Sequence, residues 1–194
     1  IKNMKIEELM DREPITLDKQ NISKDLYNKT ILVTGAAGSI GSEIARQICQ
    51  FYPKKVILID QAESPIYDLE LELKENFPYL DIEVMLADIT NYKRLDKIFQ
   101  HAEPNLIYHA AAYKHVPLIE ENVTEAVSTN VEGTRHLAEL ALQYDVGKFV
   151  FISTDKAVNP TNVMGASKRI AEIFVQSLNQ LNKTKFVTTR FGNV

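Results

Sequence analysis

Three side chains that can exchange protons stand in succession at Thr154, Asp155 and Lys156, and a further amine, Lys168, follows four residues after Met164. A carboxyl group held beside an amine can divide acid and base work on one substrate, provided that neighbouring charge or burial brings their pKa values toward neutrality. Met164 adds no proton chemistry, because a thioether neither donates nor takes a proton near neutral pH. On a helix Lys168 stands only ~40° around from Met164, while a stripe of Ile170, Ile173, Phe174, Ser177, Leu178 and Leu181 centres about 130° away. The periodicity therefore predicts one helix face for the core and another for the site. Lys168 alone would read as a solvated lysine; its spacing from Ser153 and Met164 favours a site role.

A second constellation opens the fold. The run Ile31-Leu-Val-Thr-Gly35-Ala-Ala-Gly38-Ser-Ile-Gly41 sets three glycines in the spacing G-x-x-G-x-x-G after an apolar stretch and before a helical pattern marked by Ile40, Ile44, Ile48 and Phe51. Glycines allow a tight turn and close backbone approach to a pyrophosphate, and the first amides of the next helix favour its charge. Gly35, Ala37, Gly38, Ser39, Ile40 and Gly41 form the expected cofactor loop. Asp60 ends a second apolar run, Val56–Ile59, and stands where a Rossmann fold places the acceptor for the adenosine ribose hydroxyls, although an exposed acid on an ordinary strand-turn-helix fits the same residue. Gln61, Ala62 and Glu63 provide no cation for a 2′-phosphate, so NAD is favoured over NADP.

These groups need a scaffold, and the pattern supplies one. Strands are predicted at 31–34, 56–60, 82–86, 105–109, 148–152 and 185–190, alternating with helices at 40–51, 65–76, 91–101, 122–144 and 163–181. Such alternation predicts an α/β fold, a Rossmann-type doubly wound parallel sheet whose binding crevice lies at the C-terminal strand ends. The chemistry-bearing residues collect at those ends. Asp88, with Ile89 beside it, can accept from an adenine amino group or cap the helix starting near Asn91. Ala110, Ala111 and Ala112 leave room for a cofactor against backbone, or simply make a tight turn. Lys114 can meet a phosphate or sugar hydroxyl; His115 reads equally as a substrate contact or a surface group. Asn130 falls within the stripe Val123, Val127, Val131, Thr134, Leu137 and Ala141, where a buried amide must find partners and can orient the loop beside the site.

Composition narrows the class. With 194 residues, 45% hydrophobic and 25% charged, the chain suits one soluble globular core. A formal charge of −4 gives no general basic field for nucleic acid, and no apolar run reaches the ~20 residues that span a bilayer. Cys49, the single cysteine, excludes an intrachain disulfide and reads as a small buried hydrophobe in a reducing, cytoplasmic setting. His101, His109, His115 and His136 show no paired ligand spacing, so no metal is expected. Residues 1–29, rich in charge and holding Pro14, read as an extension that packs on the domain or mediates association, and residues 30–194 as the NAD-binding domain.

Four segments together, Thr34–Gly41, His109–Pro117, Ser153–Gly165 and Arg190–Val194, resemble an extended short-chain dehydrogenase/reductase, and more narrowly a nucleotide-sugar 4,6-dehydratase of the bacterial polysaccharide-biosynthesis family. The resemblance covers roughly residues 31–194. It implies an NAD-dependent lyase acting on UDP-N-acetylglucosamine: C4 is oxidised, water is eliminated across C5 and C6, and the hydride returns to C6. The superfamily signature is Tyr-x-x-x-Lys, whereas this chain has Met164-Gly-Ala-Ser-Lys168, which resembles a methionine-for-tyrosine branch of these dehydratases. Thr154, or a water near Asp155, then takes the C4 hydroxyl proton, Lys156 removes the C5 proton, protonated Asp155 assists departure of the C6 hydroxyl, and Lys168 holds the nicotinamide ribose. Lys114, His115 and Asn193 are the implied substrate contacts. The resemblance also implies a catalytic domain truncated before its substrate-binding C-terminal part, a membrane-anchored parent with this segment in the cytoplasm and off the membrane, and a homo-oligomer. A UDP-sugar 4-epimerase, expected to retain the tyrosine, and a non-catalytic nucleotide-binding module are the alternatives.

Overall fold

The computed structural model describes residues 18–192; the rest of the 1–29 segment and Asn193 lie outside the described residues. Six parallel strands form one sheet in the order β3-β2-β1-β4-β5-β6, with β1 Thr30–Thr34, β2 Lys55–Asp60, β3 Asp81–Leu86, β4 Leu106–His109, β5 Lys148–Thr154 and β6 Lys185–Phe191. All five residues of β1 are buried, as expected of a central strand covered on both faces. Alternating side chains divide the core in two. Ile31, Val33, Val56 and Leu58 face α2 (Ser39–Cys49) and α3 (Glu63–Asn76), while Leu32, Ile57, Phe149 and Phe151 face α4 (Tyr92–Ala102), α7 (Thr134–Gln143) and α8 (Val163–Ser177). Cys49 is fully buried in the first of these layers, and burial pushes its thiol up to about 12.

After β3 the chain crosses to the other side of β1, so β1 and β4 are neighbours whose following segments leave in opposite directions. That reversal opens a crevice at their C-terminal ends. Two asparagines start helices beside it: Asn91 accepts from the Arg94 amide at 3.1 Å, and Asn162 from the Gly165 amide at 2.8 Å. Of the N-terminal segment, the described part holds α1 (Lys19–Leu26), whose Leu26 is buried in the first core layer and whose Asp25 pairs with Lys148.

Two sequence expectations are corrected. The helix predicted over 122–144 is α6 (Val123–Ala126), a π-helical segment Val127–Gly133 and α7, and a separate short helix, α5 (Val116–Glu121), precedes it. The wider π turn shifts the helical phase, so Val123 and Val127 are exposed while Asn130, Gly133 and Thr134 turn inward. On α8 the predicted core face is reversed in large part. Ile170 is 53% and Ile173 54% exposed, whereas Met164, Ser167, Lys168, Ala171, Glu172 and Val175 are buried. Backbone proximity decides this, because a Cβ on Gly165 would stand 2.4 Å from the Lys156 carbonyl oxygen. Only small residues fit at such an approach, so the bulky aliphatics turn out.

The reversed face has a measurable consequence. At dilutions where the chain is monomeric, Ile170→Lys should leave the unfolding free energy within about 0.5 kcal/mol, whereas Ala171→Leu should cost on the order of 1–3 kcal/mol by overpacking, both read from urea denaturation. Equal losses would contradict this packing.

Candidate active site in the strand-end crevice

The glycine loop is built from the backbone outward. Gly35 holds φ +66°, and a Cβ there would meet the Ala111 amide nitrogen at 2.5 Å, so the loops after β1 and β4 touch through bare backbone. Gly41 is equally constrained, since its Cβ would stand 2.0 Å from the Gly35 carbonyl oxygen. Gly38 differs: its nearest such neighbour lies at 3.3 Å, it is exposed, and no side chain caps the first turn of α2 behind it. These residues fit a dinucleotide, with Gly38 giving the pyrophosphate close access to the start of α2.

Asp60 fixes this loop. One of its carboxylate oxygens accepts from the Ala37 amide at 2.9 Å and the other from the Ala62 amide at 3.0 Å, which ties the end of β2 to the turn after β1. It lines a hollow of about 130 Å³ together with Gly38, Asp88, Ile89 and Thr129. Asp88 is exposed and accepts from the Thr90 amide at 2.8 Å; Asn91, rather than Asp88, caps α4. Ala110 and Ala112 line both this hollow and a larger cleft of about 470 Å³, so the two spaces adjoin along the end of β4. The smaller compartment has room for the adenosine half of a dinucleotide and the larger for its other half.

The larger cleft brings together Ser39 and Ile40 from the start of α2, Lys114 and His115 from the segment after β4, Thr154 and Lys156 from the end of β5 and its turn, and Met164 and Lys168 from α8. Thr154 donates to Asp155 Oδ1 at 2.9 Å, and Lys156 Nζ is 3.5 Å from the same oxygen. Asp155 itself has a side chain 55% exposed at the rim, and its hydrogen bond from Thr154, with Lys156 adding attraction, holds its carboxyl below the usual range. A standing protonated Asp155 is therefore not its resting form. Met164 is buried against Ile119 and Ala126, a wall that α5 and α6 provide. Asn193 lies outside the described residues.

Lys168 is almost wholly buried. Its ammonium donates to the Ile152 carbonyl at 2.7 Å and sits 4.0 Å from the centroid of the Phe151 ring. Burial carries its pKa down to about 7, against the opposing pull of Glu172. His109 stacks on the same ring, at 5.4 Å between centroids, and stays out of the cleft. The Thr134 hydroxyl donates to the Asn130 carbonyl at 2.7 Å, which leaves its oxygen to accept from His109 Nε2 at 2.9 Å; Nδ1 then accepts from the Thr34 hydroxyl at 2.7 Å. Burial, with Lys168 nearby, holds His109 neutral. Asn130 has the loop-orienting role, accepting from the Tyr113 amide at 2.8 Å and donating to its carbonyl at 3.1 Å and to Ser167 Oγ at 3.0 Å.

Residues 31–194 match the sequence profile of a protein family described as "Polysaccharide biosynthesis protein". The chain belongs to this family. Among curated relatives it is 51% identical to the capsular polysaccharide biosynthesis protein CapD of Staphylococcus aureus, across 100% of this chain and 33% of that protein. It is 31% identical to a UDP-N-acetylglucosamine 4,6-dehydratase (inverting) of Campylobacter jejuni, over 86% of this chain and 49% of the relative. Of solved structures, Pen from Bacillus thuringiensis shares 34% identity with a TM-score of 0.81 over 88% of this chain and 54% of that one. The UDP-glucose 4-epimerase of Thermus thermophilus in complex with NAD shares 25% identity with a TM-score of 0.66, over 82% and 54%. The chain thus spans a third to about half the length of these polysaccharide-biosynthesis relatives and structural neighbours.

Sequence reasoning missed Glu172, a fully buried carboxylate one turn after Lys168. Its i, i+4 spacing from a site lysine on a helix face otherwise made of small and apolar residues was the available signal. Thr34 and Thr134, the partners of His109, carried none, since hydroxyls at strand ends and in helices usually meet backbone or water.

The buried lysine sets a pH dependence. Its folded pKa of about 7 lies below the ordinary 10.5, so between those values the unfolded chain binds the extra proton and stability rises with pH. Below that window both states are protonated and the cost of burying the charge is felt in full. Relative to Lys168→Met, the parent should gain stability as pH rises from about 7 toward about 10. Denaturant titrations at several pH values measure this, and a constant difference would contradict the burial of a titrating amine.

Proposed function

We propose that this protein acts in NAD-dependent 4,6-dehydration of a UDP-sugar, UDP-N-acetylglucosamine, as a hydro-lyase of the methionine-for-tyrosine type. The observation that carries the reading is the hydroxyl, carboxylate and amine of Thr154, Asp155 and Lys156 joined by hydrogen bonds at the end of β5, beside a cleft whose wall holds Met164 and Lys168. The dehydratase from Campylobacter jejuni among its relatives agrees with it. A 4-epimerase oxidises C4 as well but removes no C5 proton and expels no C6 hydroxyl, so the Asp155–Lys156 acid and amine pair weighs against it.

NAD, when bound, supplies the acceptor for the C4 hydride and its return to C6. Gly38, Ser39, Ile40 and Asp60 would hold its phosphates and adenosine ribose, and Lys168 its nicotinamide ribose. The ionised Asp155 explains how a site without tyrosine begins. Thr154 takes the C4 hydroxyl proton and passes its own to Asp155, to which it is already hydrogen-bonded at 2.9 Å. Asp155 is then protonated, as the next step requires. With Asp155 protonated the charge that paired with Lys156 is gone, and Lys156, its own proton released to solvent, removes the C5 proton made acidic by the C4 ketone, while Asp155 gives its proton to the departing C6 hydroxyl, which leaves as water. Lys156 returns a proton to C5 when C6 is reduced. The proton lost from the C4 hydroxyl thus ends in the water, and no net oxidant is consumed. Lys114 and His115, exposed at the cleft mouth, are the proposed substrate contacts.

Asp155→Asn and Lys156→Met should each reduce dehydration at least about 100-fold while NAD affinity stays unchanged. The assay is mass spectrometry of UDP-N-acetylglucosamine incubated with the whole gene product in heavy water: one water is lost and one deuteron enters at C5. Full turnover in either variant would overturn the residue roles.

The reading includes a homo-oligomer. Ile170 and Ile173 on α8 and Val123 and Val127 on the adjacent α6 and π segment expose apolar side chains that a second copy can cover. Ile173→Lys should then reduce the mass measured by light scattering to that of the monomer; a monomeric parent removes this part of the proposal.

A further inference from the structure

One turn after Lys168, Glu172 has no solvent exposure, yet its carboxylate is fully engaged. Arg190 grips it in a bidentate fork, Nε to Oε1 at 2.8 Å and Nη2 to Oε2 at 2.7 Å, and Arg169 Nη1 adds a third contact at 3.0 Å. Arg190 stands in register with Ser153 on β5 and directly precedes Phe191 and Gly192, both of which line the larger cleft. The fork therefore joins the helix that bears Lys168 to the strand that completes the cleft wall. Replacing a buried ion pair by apolar residues of similar size is often neutral or stabilising, so fold stability alone does not account for this arrangement.

We propose that Glu172 is a positioning residue of this site: through Arg190 it latches the end of β6 onto α8, and it supplies the negative charge that faces the Lys168 ammonium. What Lys168 contributes to turnover rests on the dehydratase reading; the charge relation and the latch do not. Burial alone would neutralise Glu172, but Arg190, with Ser153 and Arg169 assisting, overcomes it and carries the pKa to about 2, so the carboxylate is ionised throughout the working pH range. The groups facing Lys168 are then countable by element. Glu172 lies on its own helix, the Phe151 ring and Ile152 carbonyl on β5, neutral His109 on β4, and Thr154 and Lys156 on the shared cleft wall. Of these, Glu172 alone brings a negative charge that offsets burial.

The test is an NMR titration of the lysine ε-carbons in the whole gene product, with the Lys168 signal identified by its loss in Lys168→Arg. In Glu172→Gln the Lys168 midpoint should fall by about one pH unit or more; in Glu172→Asp, which keeps the charge, it should stay nearer the parent value. Arg190→Gln removes what offsets the burial of Glu172, so the carboxyl tends to take up a proton and the Lys168 midpoint should move down, as in Glu172→Gln. Arg190 is 37% exposed, so this variant reports even if Glu172→Gln fails to fold. Unmoved midpoints, or an upward displacement in Glu172→Gln or Arg190→Gln, would overturn the inference. In turnover, the basic limb of kcat should shift down with the midpoint in Glu172→Gln. A parent that does not dehydrate UDP-N-acetylglucosamine overturns the reading of the function, and the titration still decides the role of Glu172.

Discussion

The backbones after β1 and β4 lie in contact where the strand order reverses, and the site is organised around that contact. Gly35, at φ +66°, is so near Ala110 and Ala111 that any side chain on it would enter their main chain. Because these two loops meet, the crevice becomes two adjoining compartments sharing Ala110 and Ala112. The Asp60 carboxylate secures one side by bonding the glycine turn; Asn130 secures the other by gripping both backbone groups of Tyr113. A sheet alone would provide a crevice, but these polar clamps give it fixed walls.

The same economy of space governs the opposite wall. Alpha helix α8 approaches the turn after β5 closely enough to need glycine at 165, and that approach carries Lys168 into the interior over the Phe151 ring. A lysine in such surroundings has its charge opposed by burial and favoured by a carboxylate one turn away. Asp155, at the exposed rim, is under the reverse influence and stays ionised through Thr154 and Lys156. Environment thus sets the charge of each group: the deep amine titrates near neutrality, while the shallow acid stays charged.

Much of this was legible in residue order. Alternating apolar runs and helical stripes determined the parallel sheet, because strands covered on both faces must be apolar throughout. Glycine spacing identified the loop after β1, placement at successive strand ends gathered Asp60, Ala110–Ala112, Lys114, Thr154 and Lys156 into one region, and helical spacing from Met164 added Lys168. Asn130 was legible as a buried amide in need of partners, since an apolar stripe cannot satisfy it.

Tertiary structure decided what depends on distance between chain segments. Periodicity assigned the core side of α8 to its large aliphatics, but close backbone approach selected the small-residue side and left Ile170 and Ile173 outside. A π turn rotated Val123 and Val127 outward, a phase change that a regular 3.6-residue period cannot express. His109 is a core histidine that burial holds neutral, with both of its nitrogens bonded by Thr34 and Thr134 from other elements. The pairing of Glu172 with Arg190 likewise joins residues 18 apart. Sequence by itself determined the element types and the end of the sheet at which the chemistry collects, because both follow from local pattern and topology. Which side chains are buried, charged or in contact there was decided by packing, because those properties depend on neighbours that only the folded chain brings together.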